Sequence, residues 1–321
     1  MTRFARCGGE GDTIAVRIGR AHTRKELVAF CGYHGWYLAA NIGENAALDG
    51  HLMSGLDTGG VPRSLAGTAL PFRFNHLEQL VAQHGREIGV IIMEPMRFTE
   101  PTDQFLESVR DIATRTGAVL IFDEISIGCR HNLGGSHQQF GVEPDIAVYA
   151  KVLSNGYPMA AVIGREEVMQ AAQTSFISSS YFTERIGPAA AVPTIKKMQR
   201  EVVQEKIVAM GQRIRSEWCR LAEKHNLNAK VNGRPGLMAM IFDYGDDSGA
   251  VRTLYTQEML ARGFIASTSC YPNYTMTDSI LNEYFVALDE VFPILVDAIT
   301  KNHVTSRLHG LIAHADFRRL T

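Results

Sequence analysis

The sequence predicts an α/β fold: a three-layer, mostly parallel sheet with helices on both faces, followed by a smaller C-terminal α/β domain. Three continuous apolar runs indicate the sheet, because strands buried on both faces show no polar alternation. They span residues 88–93, 119–122 and 146–150. Apolar residues at helical spacing lie between the first two runs, over 102–116. Strands and helices that alternate in this way favour parallel pairing with right-handed crossovers.

The predicted elements of the first domain continue this alternation along the chain. The predicted strands span 26–30, 88–93, 119–122, 146–150 and 159–163, and the predicted helices span 13–21, 75–84, 102–116, 166–173 and about 189–224. Asn75 and Glu78 stand at capping-box spacing, which places a helix start at Asn75. Pro193 is expected to begin or kink the last helix. Residues 41–70 lack periodicity and are predicted to form a long surface loop.

The pattern changes after Asn226, where we place the start of the second domain. Strands are predicted at 229–231, 237–242 and 264–266, and helices at about 250–262 and 277–301. These elements suffice for a small α/β unit. The predicted domains are therefore 1–225 and 226–321, and the tail from His303 has little pattern.

The composition excludes several classes of protein. Of the 321 residues, 45% are hydrophobic and 21% are charged, which is typical of a globular protein. The net charge of −2 gives no general attraction to nucleic acid or an anionic membrane, and the longest apolar runs are too short to span a bilayer. The five cysteines include no Cys-x-x-Cys pair, which argues against a disulfide framework and a zinc site. We therefore expect a cytoplasmic protein without a metal ion.

Two polar side chains stand where buried strands are predicted to end. Asp123 follows the run 119–122, and Lys151 follows the run 146–150. In open α/β sheets, ligands bind outside the carboxyl ends of the strands. A lysine that can form a Schiff base and an acid that can keep a pyridine nitrogen protonated are what a pyridoxal phosphate (PLP) site requires.

Two weaker signals fit the same kind of site. Gly8 and Gly9 lie in a turn before a predicted helix, where free backbone N–H groups can bind an anion such as phosphate. Tyr33 and His34 could stack on a flat aromatic ligand. Taken alone, a plain tight turn and a half-buried aromatic pair are the more common explanations of such residues.

Taken in order, these motifs resemble those of the class III PLP-dependent aminotransferases of fold type I, a family that includes glutamate-1-semialdehyde aminomutase. The matching segments are Cys7-Gly8-Gly9-Glu10-Gly11, Tyr33-His34-Gly35, Glu94-Pro95, Asp123-Glu124-Ile125 through Arg130, Pro144-Asp145 through Lys151, and Gly156-Tyr157-Pro158. They cover nearly the whole chain at family-like spacing. The resemblance implies the family's PLP-binding large domain for residues 1–225.

The resemblance also implies roles for individual residues. Lys151 and Asp123 would be catalytic: Lys151 would carry PLP and move a proton at the substrate, and Asp123 would face the ring nitrogen. The other cofactor contacts implied are Gly8 and Gly9 at the phosphate, Tyr33, His34 and Ile125 around the ring, and Ser180. Since Ser180 would reach the phosphate of a partner subunit, the resemblance implies a homodimer with a shared active site.

The implied reaction is the transfer of an amino group between an amine or amino acid and a carbonyl acceptor. An intramolecular 2,1-aminomutase of the glutamate-semialdehyde type would use the same motifs and remains an alternative. Arg130 or Arg185 could bind a substrate carboxylate, although a structural ion pair is the more common role of such an arginine. The sequence assigns no role to Glu124.

Several positions depart from the family's pattern. Gly9 replaces a Ser or Thr, Gly11 replaces an Ala and weakens a helical turn, and Cys129 replaces a Phe. Thr183-Glu184-Arg185-Ile186-Gly187-Pro188 replaces a short Gly-Asn-Pro turn. The family also carries a segment before the phosphate loop, so we expect a complete cofactor half and an incomplete substrate half of the site. A non-catalytic homologue acting as a scaffold is the alternative, against which Lys151 and Asp123 argue.

Overall fold

The computed structural model describes residues 1–35, 60–98, 100–102 and 104–313. These residues form two compact units, Met1–Val202 and a second unit that begins at Val203. Much of the predicted loop 41–70 and the end of the tail lie outside the described residues. Within those residues, every helix is too short or too polar to cross a membrane.

The N-terminal unit is built on a sheet with the strand order β1-β7-β6-β5-β4-β2-β3. The strands of the described chain are β1 Thr2–Ala5, β2 Leu27–Cys31, β3 Ala69–Pro71, β4 Ile88–Met93, β5 Val119–Asp123, β6 Ile146–Tyr149 and β7 Ala160–Gly164. Strands β2 to β6 pair in parallel, whereas β7 is antiparallel to β6 and β1 is antiparallel to β7. The sheet is therefore mostly parallel, with two strands added at one edge.

Helices cover both faces of this sheet. Those of the described N-terminal unit are α1 Gly8–Thr23, α2 Glu78–His84, α3 Phe105–Thr116, α4 Glu166–Met169, α5 Ala171–Thr174 and α6 Ile186–Glu201. Ile92 of β4 shares an apolar cluster with Ile18 of α1, and its neighbour Ile91 shares a second cluster with Val109 of α3. Since successive strand residues point to opposite faces, β4 is buried on both sides. The predicted three-layer α/β fold is confirmed.

Two predicted helix starts in this unit are wrong. Helix α1 begins at Gly8 rather than Thr13, so Gly8 and Gly9 form its first turn instead of preceding it. Helix α2 begins at Glu78 without a side-chain cap. Asn75 has a positive φ of 67°, and its side chain accepts hydrogen bonds of 3.2 Å from the N–H and the hydroxyl of Thr102. A tertiary contact has replaced the capping bond at Asn75.

The predicted long helix over about 189–224 is two helices. Helix α6 ends at Glu201 because Val202 adopts the left-handed conformation, with φ 47°. The next helix, α7, spans Val203–Lys224. Pro193, which was expected to begin or kink the helix, lies inside α6.

The C-terminal unit contains a small antiparallel sheet with the order β10-β9-β8. Its elements are α7, β8 Ala229–Arg234, β9 Leu237–Phe242, α8 Ser248–Ala261, β10 Ser269–Cys270 and α9 Asp278–Thr300. Trp218, Leu254 and Val291 lie in its apolar core. Since α7 packs on β8, this unit begins one helix before residue 225. The domain boundary near residue 225 stays a prediction.

The strand predicted at 264–266 is wrong. Phe264 and Ala266 pack against the core while Ile265 is 98% exposed, which reproduces the alternation of a strand. The backbone of this segment turns on itself instead, because the N–H of Ala266 donates to the carbonyl of Phe264. The strand that pairs with β9 is β10, three residues further on.

Candidate active site

A cavity of about 480 Å³ opens at the carboxyl ends of β5 and β6. Strand β5 ends at Asp123, and Lys151 follows two residues after β6, its parallel neighbour. Six of the predicted site residues line this cavity: Gly8, Gly9, Tyr33, Asp123, Ile125 and Lys151. The two predicted catalytic side chains therefore share one cavity within the N-terminal unit.

Asp123 is held in place by two hydrogen bonds. Its Oδ1 accepts from the N–H of Ile125 at 2.9 Å, and its Oδ2 lies 2.8 Å from Nδ1 of His34. Asp123 is 2% exposed and His34 is 3% exposed. Within the described chain, His34 does not line the cavity. It contacts Asp123, which does line the cavity.

A second carboxyl group, Asp12 on α1, lies against Asp123. Asp12 is 1% exposed, a carboxyl oxygen of it lies within 4.8 Å of one of Asp123, and burial, followed by the charge of Asp123, raises its pKa well above its usual range. Sequence reasoning did not find this residue. The signal was present, because Asp12 stands at helical spacing with Ala15 and Gly19 on the buried side of α1.

Lys151 is positioned by the loop that follows β5. Its Nζ donates a 2.5 Å hydrogen bond to Oγ of Ser126. The Ser126 carbonyl in turn accepts a 2.6 Å bond from Nε of Arg130, whose side chain is buried. Lys151 itself has a left-handed backbone, with φ 47°. Sequence reasoning missed Ser126, because the spacing to Lys151 is created only when β5 and β6 pair.

Gly8 and Gly9 line the cavity and lie in the first turn of α1, where backbone N–H groups have no partner within the helix. Close packing favours glycine at Gly8 and at Gly35. A Cβ on Gly8 would lie 2.7 Å from Cδ1 of Ile125, and a Cβ on Gly35 would lie 3.0 Å from Cα of Gly9. Gly11, where the family has Ala, leaves room for Val148, because a Cβ there would lie 2.9 Å from its Cγ1.

Glu124, which had no predicted role, anchors the segment that follows the site. Its Oε1 accepts from the Ser136 hydroxyl at 3.0 Å, and from the N–H and Nδ1 of His137 at 3.0 and 2.8 Å. Glu124 is 1% exposed. The carboxylate therefore ties the 3₁₀ turn Ser136–Phe140 to the end of β5.

The structure does not bring Ser180 and Arg185 to the cavity lining of the described chain. Both residues are exposed. The neighbouring Ser179 hydroxyl donates a 3.3 Å bond to Oε1 of Glu10, so this segment lies beside the first turns of α1. The predicted contact of Ser180 with a partner subunit stays a prediction.

The chain belongs to the class-III aminotransferase family, whose model matches residues 1–292. It is 31% identical over 267 residues to the 3-aminobutyryl-CoA aminotransferase of Cloacimonas acidaminovorans, covering 80% of this chain and 61% of that protein. It is 29% identical over 322 residues to the glutamate-1-semialdehyde 2,1-aminomutase of Methanocaldococcus jannaschii, covering 91% and 74%. The chain thus spans about three fifths to three quarters of these relatives.

Solved structures share the fold. A transaminase with PLP bound matches with a TM-score of 0.82 and 24% identity, covering 92% of this chain and 74% of that chain. An omega-transaminase from Sphaerobacter thermophilus matches with a TM-score of 0.81 and 22% identity, covering 92% and 74%.

Proposed function

We propose that the protein is a PLP-dependent aminotransferase that moves an amino group between an amine or amino acid and a carbonyl acceptor. The observation that carries the proposal is the cavity shared by Lys151 and Asp123 in a chain of this family. Its volume of about 480 Å³ lies within the range of about 300–1,000 Å³ of small-ligand sites.

The chemistry of the cavity fits PLP. Lys151 offers an amine for the aldehyde carbon, and Asp123 offers a buried carboxylate for the ring nitrogen. Ile125 and Tyr33 offer apolar and aromatic surface to the ring. The first N–H groups of α1, at Gly8 and Gly9, would bind the phosphate.

When bound, PLP supplies an electron sink that makes a proton on the substrate's α-carbon removable. Lys151 would take this proton with Nζ and return it at the next step, as a general base and acid. The Ser126 hydroxyl positions that amine, and His34 together with the N–H of Ile125 orients Asp123. These contacts would hold the free amine of Lys151 and the acid in place during the proton transfer, as a preorganised site requires.

We extend the proposal to a homodimer in which Ser180 of each chain reaches the partner's phosphate site. Exposed aromatic side chains near Ser180 support an interface there, since Phe176 is 89% and Phe182 is 41% exposed. Sedimentation analysis should show a dimer, and Ser180→Ala should weaken PLP binding. The five free cysteines support a reducing compartment, and we propose the cytoplasm.

The test of the enzyme proposal is covalent loading. The protein is incubated with PLP, reduced with borohydride and digested, and the modified peptide is identified by mass spectrometry. We expect the label on Lys151 in the parent and in Lys197→Ala, an exposed-lysine control, and its loss in Lys151→Ala. A Lys151→Ala protein labelled like the parent, or a parent that never binds PLP, would overturn the proposal and favour the scaffold alternative.

The aminomutase remains the second candidate, because one of the relatives above catalyses that reaction by name. The two reactions differ in their need for an acceptor. An aminotransferase completes turnover only with an added keto acid or aldehyde, whereas a mutase needs no second substrate. Product analysis with and without such an acceptor separates them.

A further inference from the structure

The side chains of Asp12 and Asp123 are both almost fully buried, and a carboxyl oxygen of each lies within 4.8 Å of the other. Two ionised carboxylates this close and away from water repel each other, and each of them could only accept hydrogen bonds. A proton on one of them removes the repulsion and supplies a donor. A ring nitrogen of His34 lies within the same distance of both oxygens.

The imidazole of His34 shows where a further proton lies. Its Nε2 is 2.8 Å from the carbonyl oxygen of Cys31, which can only accept, so Nε2 carries hydrogen. Its Nδ1 is 2.8 Å from Oδ2 of Asp123, and one proton must lie in that gap as well. Within the cluster of Asp12, His34 and Asp123, one proton therefore lies between His34 and Asp123.

The surroundings of Asp12 favour its neutral form. Burial is the first cause of its raised pKa, followed by the negative charge of Asp123 and then by Glu94 and Cys7. These groups come from the ends of β5 and β4 and from the residue before α1, and His34 comes from the segment after β2. Oδ1 of Asp12 has no hydrogen-bond partner within the described part of the chain, so ionisation there would be uncompensated.

We propose that Asp12 is a positioning residue that stays protonated at neutral pH, donates its proton to Asp123, and thereby weakens the negative charge that Asp123 presents to the cavity. The effect on the cofactor rests on the proposed function, whereas the protonation of Asp12 does not. A carboxylate that accepts bonds from Asp12, His34 and the N–H of Ile125 shares its negative charge with three donors. Asp123 would therefore hold a ring-nitrogen proton less strongly than an unassisted aspartate.

The direct test is infrared spectroscopy of the full chain without cofactor. The spectrum of the parent minus that of Asp12→Asn should contain a protonated-carboxyl C=O band at pH 7. Asp145→Asn is the matched control, because Asp145 is also buried but is paired with Arg110 at 3.0 Å and accepts from the N–H of Leu120. The control difference spectrum should lack that band. A carboxylate band alone in the Asp12 difference would overturn the proposal.

A second measurement uses stability. A carboxyl group whose folded pKa is raised stabilises the fold below its unfolded pKa, near 4, and loses that contribution as the pH rises toward the folded pKa. The parent's unfolding midpoint should therefore fall relative to that of Asp12→Asn as the pH rises above about 4. Parallel curves for the two proteins would contradict a protonated Asp12.

The third measurement concerns bound PLP and uses Asp12→Asn beside Asp12→Leu. Asn keeps a hydrogen-bond donor to Asp123, and Leu removes it. Absorbance follows the loss of the ring-nitrogen proton of bound PLP as the pH rises. The midpoint pH of this loss should be close to the parent's in the Asn variant and higher in the Leu variant. Identical titration of the two variants would overturn the role of Asp12, whereas absence of PLP binding in the parent would overturn the proposed function and leave the infrared result standing.

Discussion

His34 connects Asp123 to the backbone of β2: its Nδ1 lies 2.8 Å from Oδ2 of Asp123, and its Nε2 lies 2.8 Å from the carbonyl of Cys31. The ring therefore bridges two strands of the sheet at the edge where the cavity opens. Tyr33, the preceding residue, lines the cavity itself. Tyr33 therefore forms part of the cavity wall, and His34 supports Asp123.

Replacing His34 should loosen Asp123. His34→Leu leaves a buried carboxyl without its imidazole partner, and we expect a loss of about 1–3 kcal/mol in the free energy of unfolding. Urea unfolding of the cofactor-free protein measures it. His22→Leu, at an exposed position on α1, should stay within about 0.5 kcal/mol of the parent. Equal stability of the two variants would contradict a supporting role for His34.

Glu124 should stabilise the segment after the site rather than the chemistry. In Glu124→Gln, the amide oxygen can still accept from the three donors that Oε1 binds, but these bonds lose the negative charge that strengthens them. The amide N–H₂ group takes the buried position of Oε2, which has no partner within the described residues. We expect a loss of about 1–3 kcal/mol and faster hydrogen exchange within Ser136–Phe140. Glu107→Gln, at an exposed position on α3, is the control. Unchanged exchange in that segment would refute the anchoring role.

Features that depend on one secondary-structure element alone could be predicted from the sequence. The strands β4, β5 and β6 could be predicted because burial on both faces leaves a continuous apolar run, and the position of Asp123 and Lys151 at strand ends followed from them. Lys151 and Ser126 are 25 residues apart, so their contact depends on the pairing of β5 with β6. No local pattern encodes that distance.

The errors have the same physical origin. Asn75 has the spacing of a capping box, yet its side chain bonds Thr102, which is 27 residues away. The sequence predicts a turn at Gly8 and Gly9, whereas the structure has both in the first turn of α1. Gly8 packs there against Ile125, which follows β5. Tertiary contacts, which a local pattern cannot contain, decided each case.

The close contact between Gly8 and Ile125 predicts a compensating pair of substitutions. Gly8→Ala would place a Cβ 2.7 Å from Cδ1 of Ile125, and overpacking of this kind costs about 1–3 kcal/mol. Adding Ile125→Val removes the Cδ1 atom and should restore part of the loss. Gly9→Ala is the control, since its nearest atom would be 3.4 Å away. If the double variant lost as much stability as the two single variants together, the contact between Gly8 and Ile125 would be contradicted.

Asp289 should make the stability of the C-terminal unit depend on pH in the acid range. Hydrogen bonds from Lys224, first, and His225, second, hold the pKa of Asp289 below its usual range. Such a carboxylate stabilises the fold above its unfolded pKa, near 4, and loses the contribution as the pH falls through the folded value. The decrease in stability as the pH falls below about 4 should therefore be smaller in Asp289→Asn than in the parent. The exposed Asp246→Asn should show the same decrease as the parent. The unfolding midpoint as a function of pH measures both.

The hydrogen bond from Lys151 to Ser126 should affect the reaction more than the fold. Ser126→Ala removes the acceptor 2.5 Å from Nζ but leaves the Ser126 carbonyl, which binds Arg130, in place. A net hydrogen-bond energy of about 0.5–1.5 kcal/mol corresponds to a roughly two- to tenfold loss in kcat. The loss should appear in kcat rather than in KM, because the amine and not the substrate loses a contact, and Ser126→Thr should restore part of it. Single-turnover kinetics of proton removal measure the step, and a raised KM at unchanged kcat would show that Ser126 serves substrate binding instead.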